Sequence, residues 1–280
     1  MLKSPEDRVL DSALAAYQLH ARVTDNASYC GSWQEPEPAT DACIFHLIGE
    51  GQCEVVSAGL ERPETLGPGD LIIFARGAAH RLSGNGYTAM LCGQFDFVNG
   101  HRNPLLDALP EVLILREREA GSGLRRVAQL ILEESRNETF GSGAVMDKLA
   151  DSLFVMSVRH YLGTAPQRRG LLAALADPKL QKALGAMHAD PGRDWTVAGL
   201  AAVAAMSRTA FAEQFVALMG VSPYQYLTQW RMTEALKLLQ EPGLSVLAIA
   251  GRLGFKTEAA FRRCFKRVHG RGPGQFRRRG

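Results

Sequence analysis

SVLAIAGRLGFKTEAAFRRCFKRVHGRGPGQFR, residues 245–277, is the stretch of sequence that decides the fold of the C-terminal third. It starts at a hydroxyl residue suited to cap a helix, runs through a short alanine-rich segment, and reaches a second hydroxyl residue, Thr257, before another helical stretch. Phe261 and Phe265 are four residues apart, so they lie on one face of that second helix. Gly270 is suited to end it. The stretch therefore predicts two short helices joined by a tight turn.

The same pattern occurs a second time, in TVAGLAAVAAMSRTAFAEQFVALMGVSPYQYL at residues 196–227. The copies align at an offset of 49 residues and, after one inserted residue, at an offset of 50. The aligned pairs are Thr196 with Ser245, Phe211 with Phe261, Phe215 with Phe265, Gly220 with Gly270, and Pro223 with Pro273. Between the two helical pairs, residues 223–240 predict one long helix. This duplication predicts two helix-turn-helix units.

The charge of the chain is divided unevenly along its length. Residues 177–280 contain 16 Lys and Arg against 7 Asp and Glu, a net charge of +9, whereas residues 1–176 contain 16 against 22, a net charge of −6. Within residues 245–280, ten cationic side chains accompany a single acid, Glu258. Two helical hairpins packed for stability alone would explain the paired phenylalanines but not this charge. The charge and the helix-turn-helix pattern together predict that the partner is double-stranded DNA.

Residues 178–279 resemble the DNA-binding domain of AraC/XylS-type transcription regulators, whose motif IA, GF, FRR, FK, G, P and FR is present in that order. The resemblance covers both helix-turn-helix units and the helix that connects them. It implies that two recognition helices enter successive major-groove segments on one face of the DNA. It also implies a homodimer, contact with RNA polymerase, and activation of transcription rather than repression.

The same resemblance gives individual residues a role in DNA binding. The positions expected to face base edges are Thr209, Ala212 and Glu213 in the first unit and Glu258, Ala259, Arg262 and Arg263 in the second. The residues expected to contact phosphates are Arg208, Lys256, Lys266, Arg267, Arg277 and Arg278. Arginine can bind guanine through two hydrogen bonds, and glutamate can accept one from cytosine. Residues 177–244 carry 6 basic and 6 acidic side chains, so we expect the second unit to dominate affinity.

The N-terminal half has the pattern of short strands separated by turn residues. In YTAMLCGQFDF, residues 87–97, a mostly apolar side alternates with a more polar side that contains Cys92. Short strands at this spacing predict an antiparallel barrel or jelly roll. GPGDLIIFARGAAHRLSG, residues 67–84, resembles in part the second sequence motif of the cupins. The positions that match are Gly69, Gly77 and His80, and those that differ are Ala75 and Gly84.

The predicted fold class is α+β with two domains. Residues 1–165 are expected to form a cupin-like β-barrel sensor with a helical dimerisation layer, and residues 177–280 an all-α double helix-turn-helix domain. Two amphipathic helices are predicted over residues 121–162. The second carries an apolar stripe that either closes the barrel or, as the resemblance implies, joins two protomers: Val145, Leu149, Leu153 and Met156. GTAPQRRG, residues 163–170, has the composition of an interdomain linker.

A metal-dependent cupin enzyme is the alternative class. In metal-binding cupins His80 would be one ligand, joined by two histidines and a glutamate from a first motif, but IFHLIGEGQ offers only His46. Two histidines without a carboxylate are a poor site for manganese, iron or nickel. We therefore predict a regulator without a cofactor rather than a dioxygenase or isomerase. A zinc or copper(I) site formed by His46, His80, Cys30 and Cys92, or a small organic effector in the barrel, stays open.

The cysteines indicate what the sensor responds to. There are five, scattered along the chain, and they do not form a secreted disulfide framework. SYCGSW and LCGQF, together with FHLIGEG and NPLLDALP, resemble the reactive-chlorine-resistance subgroup of AraC-type regulators over the whole chain. That resemblance implies that Cys30 and Cys92 respond to oxidants. A responsive thiol is expected to be reachable and ionised, which would explain the polar neighbours of Cys92. Cys43, Cys53 and Cys264 are predicted to be packing residues.

The sequence gives no sign of membrane targeting. The first 20 residues carry charges throughout and have no apolar segment of signal-peptide length. No stretch approaches the roughly 20 apolar residues needed to cross a bilayer. We therefore expect a cytoplasmic protein whose partners are double-stranded DNA, a second copy of itself and RNA polymerase, with no membrane partner.

Overall fold

In the computed structural model, the chain folds into two compact units. The first, called here the β-unit, comprises Leu19–Arg168, and the second, the helical unit, comprises Arg169–Gly280 together with the first 18 residues. The structure describes residues 10–97 except 12, 15 and 17, residues 103–165 except 138, and residues 170–277. Four residues of the predicted linker, 166–169, lie outside the described residues. Nowhere in the described part is a helix both long and apolar enough to cross a bilayer.

The β-unit is built from short strands that alternate buried and exposed side chains. Its described strands are β1 (His20–Tyr29), β2 (Ser32–Glu37), β3 (Cys43–Gly51), β4 (Cys53–Ser57), β5 (Glu64–Leu66), β6 (Leu71–Phe74), β7 (His80–Asn85), β8 (Thr88–Asp96) and β9 (Val112–Leu115). They form a five-stranded sheet in the order β1–β8–β3–β6–β9 and a four-stranded sheet in the order β2–β7–β4–β5. All of the described strand pairs are antiparallel.

Of the two predicted arrangements, barrel or jelly roll, the barrel is wrong, because the described strands form two separate sheets. At the turn around Gly31, whose φ of +71° suits glycine, the chain passes from β1 in one sheet to β2 in the other. β1 then pairs with β8 and β2 with β7, so the two strands do not pair with each other and the sheets do not close. The result is a sandwich with edge strands on both sheets.

Both faces of β8 are covered. On one side, Met90 and Cys92 pack into the apolar cluster between the two sheets. On the other side, Phe95 lies with its ring centroid 4.8 Å from that of Phe154, which belongs to a helix behind the sheet. The β-unit therefore has three layers, namely helices, the five-stranded sheet and the four-stranded sheet. The side of β8 that looks more polar in the sequence faces the sandwich interior.

Helices cover the outer face of the five-stranded sheet. A short helix, α1 (Pro104–Asp107), precedes β9, and the covering helices are α2 (Ser122–Arg136) and α3 (Ser142–Thr164). Asp151 and Asp147 on α3 accept hydrogen bonds from the backbone N–H of Ala21 at 2.6 Å and of Val23 at 2.9 Å. These carboxylates satisfy donors on the free edge of β1, which would otherwise be open to pairing with another strand. The helical layer is thus fixed to β1 by hydrogen bonds as well as by apolar packing.

The apolar stripe predicted on α3 is divided between core and surface. Leu153 is fully buried inside the β-unit, so its predicted place at a dimer interface is wrong. Leu153 lies on the buried face of α3, together with Ala150, Phe154 and Val158. Val145 is 45% exposed, and Leu149 and Met156 are half-buried. These three keep an outward-facing part.

The helical unit consists of short helices with side-chain caps. They are α4 (Gly170–Ala176), α5 (Pro178–Ala189), α6 (Val197–Val203), α7 (Arg208–Met219), α8 (Pro223–Leu238), α9 (Val246–Arg252) and α10 (Glu258–His269). The side-chain oxygens that accept a hydrogen bond from the backbone N–H three residues ahead are those of Asp177, Thr196, Ser207, Ser222, Ser245 and Thr257. The two predicted helix-turn-helix units, α6–α7 and α9–α10, are confirmed, and α8 connects them.

Each helix-turn-helix unit packs around the paired phenylalanines of its second helix. Phe211 and Phe215 are fully buried, and the ring of Phe215 is 5.9 Å from that of Tyr226 on α8. Phe261 and Phe265 are buried in the same way in the second unit. Burying these faces leaves the opposite faces of α7 and α10 toward solvent.

Candidate functional site

The solvent face of α10 is cationic. Arg262, Arg263 and Lys266 are exposed on it, while Cys264 on the opposite side is buried in the core. Glu258, one turn before Arg262, accepts an ion-paired hydrogen bond from it, with Nη2 to Oε1 at 2.6 Å. The structure therefore holds Arg262 along the helix and leaves its neighbour Arg263 on the exposed face. Such a surface can bind the phosphate and base-edge groups of a major groove.

The solvent face of α7 is less charged. Thr209 and Glu213 are exposed, and Ala212 is half-buried between them. Arg208 is exposed at the first position of the helix. In the second unit Ala259 is also exposed and Glu258 is half-buried. The positions predicted to face bases thus lie on the outward sides of the two second helices.

The cations predicted to contact phosphates are at the surface where they are described. Lys256, Lys266, Arg267 and Arg277 are all exposed. Arg277 donates a hydrogen bond to the carbonyl oxygen of Leu244, which fixes the chain end against the loop before α9. Arg278 lies outside the described residues.

Arg231 on α8 is a buried cation that sequence reasoning missed. It is only 9% exposed and donates to the carbonyl oxygens of Pro191, at 2.6 Å, and Arg193, at 3.0 Å. Its guanidinium carbon is 5.8 Å from the ring centre of Phe255, in the turn between α9 and α10. Burial lowers the pKa of Arg231. The side chain thus joins the segment before the first helix-turn-helix unit to the turn of the second.

The sandwich interior of the β-unit holds a chain of hydrogen bonds that starts at Cys92. Its sulfur lies 3.0 Å from Nδ1 of His46, and Nε2 of His46 lies 2.8 Å from Nε2 of His80. Nδ1 of His80 lies 2.9 Å from the carbonyl oxygen of Ala78. His46 and Cys92 meet because they are directly opposite each other in the pairing of β3 with β8.

With both imidazoles neutral, as their lowered pKa values favour, the contacts fit one arrangement of the protons. A carbonyl oxygen only accepts, so Nδ1 of His80 carries the proton and its Nε2 is an acceptor. His46 must then donate from Nε2, which leaves its Nδ1 as the acceptor for the thiol of Cys92. Both imidazoles are neutral in this arrangement. The chain runs from the thiol through two rings to the Ala78 carbonyl.

The surroundings of Cys92 disfavour its thiolate. Burial is the main cause that raises the pKa of the thiol to about 12, and the nearby Asp25, Glu37, Cys53 and Glu35 contribute to the same rise. The predicted readily ionised thiol is therefore wrong, since Cys92 lies in the interior of the sandwich and not on a polar outer face. Burial, with the neighbouring His80, lowers the pKa of His46 to about 3. Burial also lowers the pKa of His80, against the opposing effects of the Ala78 carbonyl and Glu37.

Cys30 does not reach Cys92 in this structure. Cys92 is opposite Asp25 on β1, whereas Tyr29, the residue before Cys30, is opposite Thr88. Four residues of strand span about 13 Å at ~3.3 Å each, beyond the ~7 Å that a disulfide allows between Cα atoms. Cys30 is exposed in the turn after β1.

The four residues considered for zinc or copper do not assemble into a site here. Cys92 and His80 contact different nitrogens of His46, so one ion cannot bind all three in these positions. Cys30 lies at the far end of β1. In the described residues no group of three or more His, Cys, Asp or Glu side chains could hold a metal ion.

The remaining cysteines lie in packed surroundings. Cys43 and Cys53 are each 2% exposed, and Cys264 is 8% exposed. Burial raises the pKa of Cys43 and raises that of Cys53 to about 12. None of these three has the hydrogen-bonded imidazole that Cys92 has, as far as the described residues extend.

Comparison with known proteins agrees with the two-part organisation. A cupin family model matches residues 8–163, and a helix-turn-helix domain model matches residues 200–279. The RCS-specific HTH-type transcriptional activator RclR of Escherichia coli K12 is 30% identical over 92% of this chain and 92% of its own. The regulator AlkR of Acinetobacter baylyi is 29% identical over 88% of this chain and 91% of its own. A putative AraC-like transcription regulator of Streptomyces lividans is 28% identical over 96% and 97%. The chain belongs to the AraC-type transcription regulators that carry an N-terminal cupin domain.

Proposed function

We propose that this protein is a sequence-specific, oxidant-responsive activator of transcription that acts as a homodimer and senses oxidants through Cys92. The observation that carries the sensing part is the thiol of Cys92 held 3.0 Å from an accepting nitrogen of His46 inside the sandwich. The relative named RCS-specific, 30% identical over nearly the whole chain, supports reactive chlorine species as the oxidant. The protein acts by binding rather than as an enzyme, and RNA polymerase is its proposed partner at promoters.

DNA binding through both helix-turn-helix units follows from family membership, and the residue roles are our proposal. Arg262 and Arg263 on α10 read base edges, and the exposed cations around them contact phosphates. The second unit supplies most of the affinity because the first carries no net charge. Glu213 on α7 reads a cytosine rather than a guanine.

Dimerisation through the helical layer is supported by apolar side chains left at its surface. Leu130 on α2 is 47% exposed, Phe140 in the connecting loop is fully exposed, and Val145 on α3 is 45% exposed. Leu149 and Met156, which are half-buried, add to the apolar area that α2, α3 and the loop between them expose. Apolar surface of this kind often marks an interface.

A route from Cys92 to this surface is available through β1. The hydroxyl of Thr24, at a β-bulge in β1, donates to the carbonyl oxygen of Cys92 at 3.2 Å. The backbone N–H of the neighbouring residue, Val23, donates a hydrogen bond to Asp147 on α3. A change at the Cys92 sulfur that shifts β8 would therefore move β1 and, with it, the helix that we propose for dimerisation.

The sensing proposal is tested by measuring DNA binding of the full chain before and after hypochlorous acid. The DNA is a duplex selected from a random pool by the purified protein, and affinity is followed by fluorescence anisotropy. We expect the wild type to change its affinity and Cys92→Ser to bind DNA equally with and without the oxidant. Cys53→Ala, which removes a thiol from the same apolar cluster, serves as the control and should respond like the wild type.

Cys30→Ser shows how the oxidised state is held. A full response in this variant means that oxidation of Cys92 alone is sufficient, as the separation of the two thiols leads us to expect. A weak or transient response means that the chain moves to form a disulfide. If Cys92→Ser keeps the complete response to oxidant, the proposal that Cys92 is the sensor is wrong.

A further inference from the structure

Three carboxylates lie on the two edge strands beside the Cys92 site. Asp25 is directly opposite Cys92 in the pairing of β1 with β8, and Glu37 is directly opposite His80 in the pairing of β2 with β7. Glu35 is opposite Leu82, a member of the apolar cluster between the sheets. Residues directly opposite each other on paired strands point to the same face. Asp25, Glu35 and Glu37, called here the acidic rim, therefore lie on the inner face with the thiol.

The acidic rim lies along one edge of the sandwich. β1 and β2 are the edge strands of the two sheets on that side. Asp25 is exposed, and Glu35 and Glu37 are half-buried. Among the described residues, no cationic side chain lies within ion-pair distance of any of the three. A reagent that approaches Cys92 from this side meets uncompensated negative charge, which repels anions but not neutral molecules.

Below the acidic rim, the hydrogen-bonded rings give the thiol proton a path. When Cys92 attacks an electrophile, its proton passes to Nδ1 of His46, while His46 releases the proton on Nε2 to Nε2 of His80. His46, the more deeply buried ring, is neutral before and after this exchange. The positive charge appears on His80, whose Nδ1 proton stays on the Ala78 carbonyl and which faces Glu37.

We propose that Cys92 is a nucleophile selective for neutral electrophiles, with His46 and His80 as its proton relay and the acidic rim as the barrier to anions. This inference rests on the proposed function and names the form of oxidant that is sensed, which is hypochlorous acid rather than hypochlorite. It also gives a reason for a half-buried, protonated thiol in a sensor. A thiol without a standing thiolate reacts slowly with oxidants that need one, and the relay removes its proton only during attack.

The chemistry balances in two steps. In the first, the sulfur of Cys92 attacks the chlorine of hypochlorous acid, so that an S–Cl bond forms while the Cl–O bond breaks and hydroxide leaves. The thiol proton enters the relay and hydroxide takes up one proton, so the net products are the sulfenyl chloride and water. In the second step, water attacks the sulfur and chloride leaves with the electron pair of the S–Cl bond. Sulfenic acid and one proton remain; sulfur has lost two electrons and chlorine has gained two.

A pair of alkylating agents that differ in charge tests the barrier. Full-length protein is labelled with neutral iodoacetamide or anionic iodoacetate, and the rates at Cys92 and at exposed Cys30 are measured by peptide mass spectrometry. We expect the ratio of the neutral to the anionic rate to be about tenfold or more larger at Cys92 than at Cys30. In a triple variant, Asp25→Asn, Glu35→Gln and Glu37→Gln, the ratio of the neutral to the anionic rate should become the same at Cys92 as at Cys30. Equal ratios at the two cysteines in the wild type would show that the acidic rim does not exclude anions.

The pH dependence of iodoacetamide labelling tests the relay. A free thiolate far below its pKa would make the rate rise about tenfold per pH unit. We expect the wild-type rate at Cys92 to be nearly constant between pH 6 and 9, because neutral His46 takes the proton during attack. Titratable groups from five strands face Cys92. They are Asp25 and Tyr29 on β1, Glu35 and Glu37 on β2, His46 on β3, Cys53 on β4 and His80 on β7.

Two variants separate the relay from a merely structural role. In His46→Gln the base is lost, and the rate should rise about tenfold per pH unit. In His80→Gln the thiol keeps its contact with His46, but the relay loses its second proton acceptor. The labelling rate at Cys92 should therefore be lower than in the wild type and should rise with pH. A tenfold rise per unit in the wild type, or a flat profile in His46→Gln, would overturn the relay. Because labelling involves no DNA, these results stand apart from the transcriptional role of Cys92.

Discussion

In the helical unit the charged groups proposed to contact DNA lie at the surface, whereas in the β-unit Cys92, His46 and His80 lie between two sheets. Arg262 and Arg263 are exposed and need only a packed helix beneath them. The thiol and imidazoles acquire their properties from burial and from one another. DNA binding through surface charges therefore tolerates change in its surroundings, whereas the properties of the Cys92 site depend on strand register. Substitutions at α3, at α8 and on α10 separate these two kinds of dependence.

The sharpest test of the β-unit sets a buried position against an outward one on the same helix. Leu153→Glu places a carboxylate in the fully buried layer between α3 and the sheet, so we expect the free energy of unfolding to fall by about 3–5 kcal/mol. Leu149→Glu, at a half-buried outward position, should cost less than about 1 kcal/mol. Urea unfolding followed by circular dichroism measures both.

Light scattering on the same two proteins tests the dimer. Leu149→Glu should remain folded but appear as a monomer, because the carboxylate would be buried in the apolar contact between protomers. A folded dimer in Leu149→Glu would contradict the proposed interface. A well-folded Leu153→Glu would contradict the placement of that side chain in the core.

In the helical unit the largest expected effect comes from a residue that is not at the DNA surface. Arg231→Met removes two hydrogen bonds to backbone carbonyls and a buried cation while keeping most of the apolar stem. We expect the free energy of unfolding to fall by about 2–4 kcal/mol, since each orphaned acceptor costs ~1–3 kcal/mol. DNA affinity should fall at least about tenfold, because the two helix-turn-helix units lose their shared anchor.

Lys237→Met provides the matched control for Arg231→Met. It removes a cation from the same helix, but from an exposed position in the last turn. Tryptophan fluorescence during urea unfolding should show a change below about 0.5 kcal/mol. Equal effects of the two substitutions would mean that Arg231 is an ordinary surface charge.

The helix-turn-helix units could be predicted from the sequence because each of their features is local. Thr257 caps a helix three residues ahead, and Phe261 and Phe265 share a face through helical spacing alone. The duplication gave a second, independent copy of the same signals. Arg231 follows Trp230 on α8. Its burial was not predicted, because an arginine side chain on a helix is ordinarily exposed to solvent.

The Cys92 site depends on long-range pairing, which alternation within one strand does not reveal. His46 and Cys92 are 46 positions apart in sequence and meet only through the register of β3 with β8. Alternation separated the two faces of β8 correctly, but it could not show that both are covered. Had the sheet a single buried face, the side with Phe95 would have been the core and Cys92 would have been exposed. The comparison with cupin motifs marked His80 and His46 as candidate ligands, but it did not show that the two rings are hydrogen-bonded to each other and to Cys92.

The smallest expected effect compares two cations on the exposed face of α10. Arg263→Ala should cost about 1–3 kcal/mol on the selected DNA site and relax the preference at one base pair, because a base-edge contact is lost. Lys266→Ala should weaken binding to all sequences alike and reduce the slope of log K against log salt by about 1. Anisotropy titrations against the selected duplex, single-substitution variants of it and a random duplex, each at several salt concentrations, measure both effects. If Arg263→Ala leaves discrimination among these duplexes unchanged, the α10 surface binds DNA only through its phosphates, and the proposed base-reading role of Arg263 is wrong.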